Sequence, residues 1–408
     1  MSDSTAKQRL WVVTEVYYPE QISTGYYLTS IAEGLAPHLD VKVLAGQPNY
    51  GSRGLTAPKH EHRKDVEIFR APSTRLDKNV IPFRVLNMLT LGLSMFFKSL
   101  KLFKSGDRVL VVTAPPSLPF TTALAALIKG SSYTLLLHDS YPEILVAVGK
   151  AKARSVFVRT VNIFNRWLYK HAAKIIVVGR DMHDLLTAKT AGLDIPIVTI
   201  PNWADLEVII PEYREENTLL AELNIESKFV FMYAGNIGHP TDIETIIEAA
   251  EKLQGDDRFH FVFIGSGAKK PWLVDAVGKR ELGNVIILDQ RPRTDQSVFL
   301  NACDIGIISL VPGMLGTAMP SRTYNILAAG KPILALTDEG SELAQVIDEE
   351  QVGWHIRPRQ PEILVKTILE IFDRKNELAE MGERARAAAE VKYSLADALR
   401  AYRGELGN

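Results

Sequence analysis

A chain of 408 residues, 46% hydrophobic, 23% charged and 8% aromatic, is long enough for two domains and is not a small module, a disordered chain or a disulfide-stapled scaffold. Its one cysteine, Cys303, excludes an internal disulfide, the polar start MSDSTAKQR lacks a signal-peptide pattern and reads as cytoplasmic, and the longest lightly charged apolar stretch, Val85 to Phe97, falls short of the ~20 residues of a spanning helix. The net charge of -1 conceals a division, since residues 1–200 carry 25 Lys+Arg against 15 Asp+Glu and the remainder 22 against 33, so the first half either suits an anionic surface or phosphorylated substrate or simply carries solvated lysines.

Short β-branched runs alternate with longer amphipathic stretches, the pattern of βα units around parallel sheets. Strands are expected at Leu10–Val16, Val41–Ala45, Val109–Thr113, Thr134–His138 and Lys174–Val178, with helical patterns between them. The series restarts with Phe229–Ala234, Phe259–Ile264, Val285–Leu288, Asp304–Leu310 and Pro332–Leu336. The expectation is α/β, two doubly wound, Rossmann-like domains covering 1–205 and 206–389. The linker is placed after Ile200-Pro201-Asn202-Trp203-Ala204-Asp205, because proline forces the residue before it out of helix. A final amphipathic helix, about 390–408, has no strand after it and is expected to pack back on the N-terminal domain. Ligands of open α/β sheets sit beyond the carboxyl ends of the strands, so two such domains are expected to face each other across a cleft.

Chemistry is therefore sought just after strands. The first strand leads to Ser23-Thr24-Gly25 at a helix start, where glycine admits a phosphate or sugar to free N–H groups, or merely makes a turn. No G-x-G-x-x-G follows it and no G-x-x-x-x-G-K-S/T occurs, which argues against a dinucleotide dehydrogenase and a P-loop NTPase. After the fourth strand, His138, Asp139 and Glu143 around Pro142 suit proton steering or substrate hydroxyls; the alternative is a capping aspartate with a histidine filling a polar gap. The second series offers Gly235-Asn236-Ile237-Gly238, then Gly265-Ser266-Gly267 with Lys269 and Lys270, glycine loops able to present donors to a diphosphate. The segment from Pro312 to Pro332 is the most distinctive, with Thr317 in an irregular approach to a short helix that Pro320-Ser321 begins and Gly330 ends. It would bring the Ser321 hydroxyl and the Arg322 guanidinium to one spot that suits an anion. No D-x-D, H-E-x-x-H or cysteine cluster is present, so no metal site is expected. The lack of G-x-S-x-G argues against an α/β-hydrolase.

The landmarks YYPEQISTGYYLTSIAEGLA, GQPNYGSRG from Gly46, HDSYPE, IPNWAD, YAGNIG, FIGSG and PSRTYNILAAGKPILA span nearly the whole chain. In this order they resemble the retaining glycosyltransferases of the GT-B fold, family 4, and most closely the bacterial subgroup that builds exopolysaccharide and O-antigen chains. The resemblance implies a nucleotide-sugar donor, a UDP-sugar in the first instance, held by the C-terminal domain, an acceptor saccharide or lipid-linked saccharide held by the N-terminal domain, retention of configuration, and no metal or other cofactor. No nucleic-acid partner is implied. Family members commonly carry two glutamates eight positions apart where this chain has Thr317 and Asn325, and Arg and Lys where it has Asn236 and Thr241. Replacement cations are then sought in Arg322, Lys269, Arg180 and Arg291 of the Arg291-Pro292 turn, with Asn325 bonding hydroxyls as an amide. Two rival readings share the fold, a degenerate nucleotide-sugar binder and a UDP-sugar 2-epimerase. Finally, the apolar run from Arg84 ends in Lys98, Lys101 and Lys104, and either lies along a bilayer as a peripheral contact or is a buried helix with lysines at its solvent end.

Overall fold

In the computed structural model, residues 7–49, 56–76 and 80–407 are described, and the end of the GQPNYGSRG loop lies outside them. The chain divides into two compact units, residues 1–142, 154–201 and 396–408 forming one, and 143–153 and 202–395 the other. The crossing at Pro201 and Asn202 lies inside the IPNWAD landmark, a few residues before the boundary expected at 205.

The first unit contains β1 (Arg9–Thr14), α1 (Ser23–Leu35), β2 (Asp40–Ala45), β3 (His60–Arg63), β4 (Val66–Arg70), α2 (Ile81–Leu102), β5 (Arg108–Val112), α3 (Leu118–Lys129) and β6 (Ser132–Leu137). After α4 (Glu143–Ala147), which groups with the second unit, come α5 (Val156–His171), β7 (Lys174–Val177), α6 (Arg180–Lys189) and β8 (Ile197–Thr199). Its sheet runs β3-β4-β2-β1-β5-β6-β7-β8, with only the β3–β4 pair antiparallel. The central strands are apolar on both faces, as a sheet covered by helices requires; Leu10, Val12, Val13, Leu110 and Val111 are wholly buried.

The second unit holds α7 (Thr218–Leu223), β9 (Phe229–Ala234), α8 (Ile243–Lys252), β10 (Phe259–Ile264), α9 (Lys270–Lys279), β11 (Val285–Leu288), α10 (Gln296–Asn301) and β12 (Ile305–Ser309). There follow α11 (Arg322–Ala328), β13 (Ile333–Leu336), α12 (Glu342–Glu350), β14 (Gly353–Ile356), α13 (Pro361–Asp373) and α14 (Leu378–Val391). Its sheet, β11-β10-β9-β12-β13-β14, is parallel throughout. Phe229, Phe231, Phe259, Phe261 and Phe263 of β9 and β10 are buried in its core, with Phe231 stacked on Phe261 at 5.5 Å. Both units are thus Rossmann-like α/β folds.

The last helix, α15 (Leu395–Leu406), packs back on the first unit. Leu399 sits so close to Gly34 that a Cβ there would meet it at 2.3 Å, Arg108 donates to the Leu406 carbonyl at 2.8 Å, and Lys174 pairs with Glu405. One sequence reading needs correction. The apolar stretch Val85 to Phe97 is part of a continuous helix, α2, whose span Pro82–Leu102 is long and apolar enough to cross a membrane by length and composition, with 28% of its apolar window buried. It is therefore not a buried core helix.

Candidate functional site

In the second unit the ends of β9 and β10 meet in two interlocked loops. Ile237 donates to the Ser266 carbonyl at 2.8 Å and Lys269 N–H to the Ile237 carbonyl at 2.9 Å. A Cβ on Gly265 would lie 1.9 Å from the Gly235 carbonyl oxygen, and one on Gly267 2.4 Å from that of Ile237. The backbones therefore approach as only glycine allows. Against this pair lies Arg322. A Cβ on Gly235 would come 2.8 Å from the Arg322 Cζ, whose guanidinium is stacked 4.4 Å from the centre of the Tyr233 ring. Arg322 opens α11, and every other residue of that helix is buried, with Ile326 filling the space a Cβ at Gly306 would need. The helix is fixed, so its first side chain is aimed. Its Nη1 is buried and has no hydrogen-bond partner among the described residues. An orphaned buried guanidinium nitrogen costs about 1–3 kcal/mol unless something anionic completes it.

The other expected donors are engaged differently. Lys269 turns inward, donating to the Thr241 carbonyl at 2.6 Å and pairing with Glu244. Lys270 pairs with Asp289 and Arg291 with Glu222 at 3.2 Å, while Arg180 heads α6 in the first unit. Pro292 precedes Arg293, which sequence reasoning passed over. The Arg293 Nε and Nη2 each reach Asp205 Oδ2 at 3.1 Å, tying the NWAD segment to the turn after β11. A buried aspartate in such a segment could have prompted the search for its cation.

At the substituted positions, Thr317 is buried and its hydroxyl donates to the Met314 carbonyl at 2.8 Å. The buried Asn325 accepts the Asp205 N–H through Oδ1 at 3.3 Å. Ser321 stands directly before α11, and Asn236 lies beside Gly267, its Oδ1 2.6 Å from where a Cβ would be. The structure thus brings Gly235, Asn236, Gly265, Ser321 and Arg322 into one neighbourhood and leaves Lys269 and Arg291 to internal ion pairs.

In the first unit, Gly25 lies in the first turn of α1, where a Cβ would meet the Glu20 carbonyl at 2.4 Å; close packing alone accounts for it. His138 and Asp139 follow β6, and burial acts on both, lowering His138 to about 4 and raising Asp139 to about 6. The imidazole is neutral near pH 7, its ring edge-on to Tyr27 and its Nε2 without a hydrogen-bond partner among the described residues. Glu143 opens α4, which groups with the second unit, whereas His138 and Asp139 belong to the first. Among the described residues, one group could hold a metal, His60, His62 and Glu67 on the β3–β4 hairpin, far in the sequence from these loops; Glu67 there is already paired with Lys42 and His60.

Both units correspond to known families. Residues 24–203 match the glycosyl transferase 4-like domain and residues 215–388 the glycosyl transferases group 1. The probable glycosyltransferase WbjE of Pseudomonas aeruginosa is 32% identical over 405 residues, covering 95% of this chain and 94% of that protein. The putative colanic acid biosynthesis glycosyl transferase WcaI of Escherichia coli is 23% identical, covering 86% and 89%. Among solved structures, the sucrose-phosphate synthase of Thermosynechococcus elongatus superposes with a TM-score of 0.78 at 15% identity, covering 98% of each chain. Anabaena HepE in complex with UDP-glucose gives 0.71 at 14% identity, covering 98% of this chain and 99% of that one. These two share the fold. By its two matched domains and its relative of 32% identity along nearly the whole length, the chain belongs to the group 1 glycosyltransferases with a 4-like N-terminal domain, the GT4 family of GT-B fold.

Proposed function

We propose that the Gly235 and Gly265 loops and Arg322 bind the diphosphate of a UDP-sugar, and that the enzyme transfers the sugar with retention and without a metal to a saccharide or lipid-linked saccharide of a cell-surface polysaccharide. The observation that carries this reading is the Arg322 guanidinium, held over Tyr233 with a buried, unpaired Nη1 and packed directly against the Gly235 backbone at the paired glycine loops. A diphosphate supplies the missing acceptor, and its charge is best stabilised by a donor that is already oriented. The absence of a Cβ at Gly235 and Gly265 lets a phosphate approach the loop backbone closely, although the N–H groups of both glycines are themselves engaged with the Ile264 and Leu288 carbonyls. The relative named for colanic acid synthesis and the structural neighbour holding UDP-glucose support the polysaccharide and donor assignments.

In such a transfer the bond between sugar and diphosphate breaks, the acceptor oxygen bonds to the anomeric carbon on the same face, and the acceptor's proton passes to the departing phosphate. The protein must then stabilise leaving-group charge and position the sugar, and it needs no strong base. A neutral His138 suits hydrogen bonding to a sugar hydroxyl. We place the acceptor at a membrane surface that α2 contacts peripherally. The test is a UDP-sugar donor panel with and without acceptor lipid, read for UDP release, product anomer and activity after chelation. Release of UDP only with acceptor, a retained anomer and activity in chelator are expected. An inverted product, loss on chelation, or a new free sugar formed without acceptor would refute the corresponding part.

A further inference from the structure

The first unit leaves a second apolar face exposed outside its core. Along α2 the buried positions are Asn87, Leu91, Gly92, Met95 and Ser99, yet Leu89, Leu93 and Phe97 are 52%, 58% and 65% exposed. An ordinary surface helix keeps its outer face polar, whereas α2 is apolar on both. The exposed apolar face is not confined to α2. It packs along α3, where a Cβ on Gly92 would meet Thr121 at 3.4 Å and Ser117 Oγ approaches the Met88 carbonyl at 3.5 Å. Phe120 of α3 in turn meets Phe164 of α5 edge to face at 6.4 Å. On these neighbours Ile128 is 59%, Ile163 70% and Phe164 57% exposed. Thirteen of the 24 large exposed hydrophobic residues among those described fall on the three helices. So large an apolar surface marks a binding face, since soluble monomers rarely leave one open.

Charge decides what covers it. The sequences of α2, α3 and α5 contain no aspartate or glutamate and seven Lys or Arg residues. An apolar face whose own helices carry only cationic charge complements an anionic bilayer, whose headgroups take the charges while the side chains enter the acyl boundary. A second copy of the same face would set cation against cation. Lys98 already feels this crowding, its pKa lowered by burial and by Lys101 and Lys59.

We propose that α2, α3 and α5 form one continuous platform lying in the interface of an anionic membrane, with α5 inserting alongside α2. The proposal extends the reading that α2 alone touches a membrane and rests on it, but not on the transferase chemistry. In-plane docking follows from the packing of α2 on α3, which a membrane-crossing α2 would have to abandon.

The test is flotation of the full chain with vesicles of phosphatidylcholine alone or with phosphatidylglycerol, for the wild type and the double variants Leu89→Glu/Leu93→Glu and Ile163→Glu/Phe164→Glu. Both pairs are exposed, so folding should persist, and a circular-dichroism melt of the full chain, with and without UDP, run alongside shows that it does. Wild type should bind the anionic vesicles, release them in high salt, and each variant should lose at least about tenfold in affinity, two large apolar side chains having been withdrawn from the acyl boundary. Wild-type binding by the α5 variant would overturn the platform, leaving α2 alone. Equal binding to neutral vesicles would overturn the lipid assignment. So would a lipid-free wild-type dimer that the variants turn to monomer, which would identify a second copy as the occupant. Loss of UDP stabilisation in the wild type, with lipid binding intact, would instead sink the donor-site reading.

Discussion

Replacing Arg322 by alanine separates a ligand-binding guanidinium from a structural one. The side chain makes a cation–π contact with Tyr233 at 4.4 Å, worth about 0.5–2 kcal/mol to the fold. Its buried Nη1 is unpaired, a cost of about 1–3 kcal/mol that alanine removes. These offset each other, so the free variant should unfold within about 1 kcal/mol of the wild type. Bound UDP changes the balance, because the phosphate then completes the orphaned donor through a charge-assisted bond of about 1.5–3 kcal/mol. Calorimetric titration should therefore show the UDP Kd raised about 10- to 100-fold. Arg322→Lys should recover part of the loss, since it keeps the charge without the planar fork held over the ring. A Kd within twofold of wild type, or a free variant destabilised by several kcal/mol, would refute the reasoning and make Arg322 a packing residue.

Gly265→Ala drives a methyl to 1.9 Å from the Gly235 carbonyl oxygen, so the loops must part; both Tm and UDP affinity should fall, and an unchanged Tm would show that the approach is looser than described. His138→Ala should lower kcat with UDP affinity near wild type, whereas loss of folding would make it a core histidine. Burial lowers His138 to about 4 and raises Asp139 to about 6, which gives opposite linkage. The His138 contribution is present above its unfolded value near 6.5 and lost as pH falls towards 4, while that of Asp139 is absent above 6 and gained as pH falls towards its unfolded value. The wild-type stability should vary little across that window; Asp139→Asn should lose on the order of 2 kcal/mol on acidification and His138→Ala gain as much, and parallel pH profiles of the two variants would disprove it. Cys303 is buried with its thiol pushed up to about 12, so a thiol reagent should modify it only on unfolding; rapid labelling of the native protein would contradict that burial.

The fold was legible where strands are short continuous apolar runs. The apolar runs Phe229–Ala234, Phe259–Ile264 and Val285–Leu288 are strands at the bounds their composition suggests. The missed strands are β3, β4, β8 and β14; β4 alternates as VEIFR, a signal the sequence does carry, whereas the other three take their register from neighbours. β3 reads HEHR and carries no apolar side chain, being held by its pairing with β4, and β14 is an edge strand whose Gly353 fits under the Ile333 carbonyl. β8 is a three-residue edge. At the site, a cation at the start of a short helix after a glycine-rich approach pointed to Arg322. Sequence does not say which lysine folds inward, so Lys269 and Arg291 stood equal to Arg322 until their pairing with Glu244 and Glu222 distinguished them. Tyr233, the stacking platform, looked like one more strand residue, because its role depends on a helix that arrives almost ninety residues later.

The two departures from the family pattern acquire a physical meaning in this arrangement. Glutamates at 317 and 325 would need charge partners in a site where Thr317 and Asn325 are both buried. The residues present satisfy themselves locally instead, Thr317 on the Met314 carbonyl and Asn325 on the Asp205 N–H, and Asp205 is in turn held by Arg293. Asn325 is thereby part of a relay that fixes the NWAD segment against α11, and its neutral amide does so without adding a second buried anion next to Asp205. Restoring the carboxylate tests this. Asn325→Glu would bring a second carboxylate to the buried position that bonds the Asp205 backbone, where an unpaired charge costs several kcal/mol, so the variant should lose stability unless the new group stays protonated. Its melting temperature should then fall as pH rises from 5 to 8, a slope that the wild type lacks. A variant as stable as wild type across that range would show that room for the family's glutamate remains and that the relay through Asn325 is dispensable.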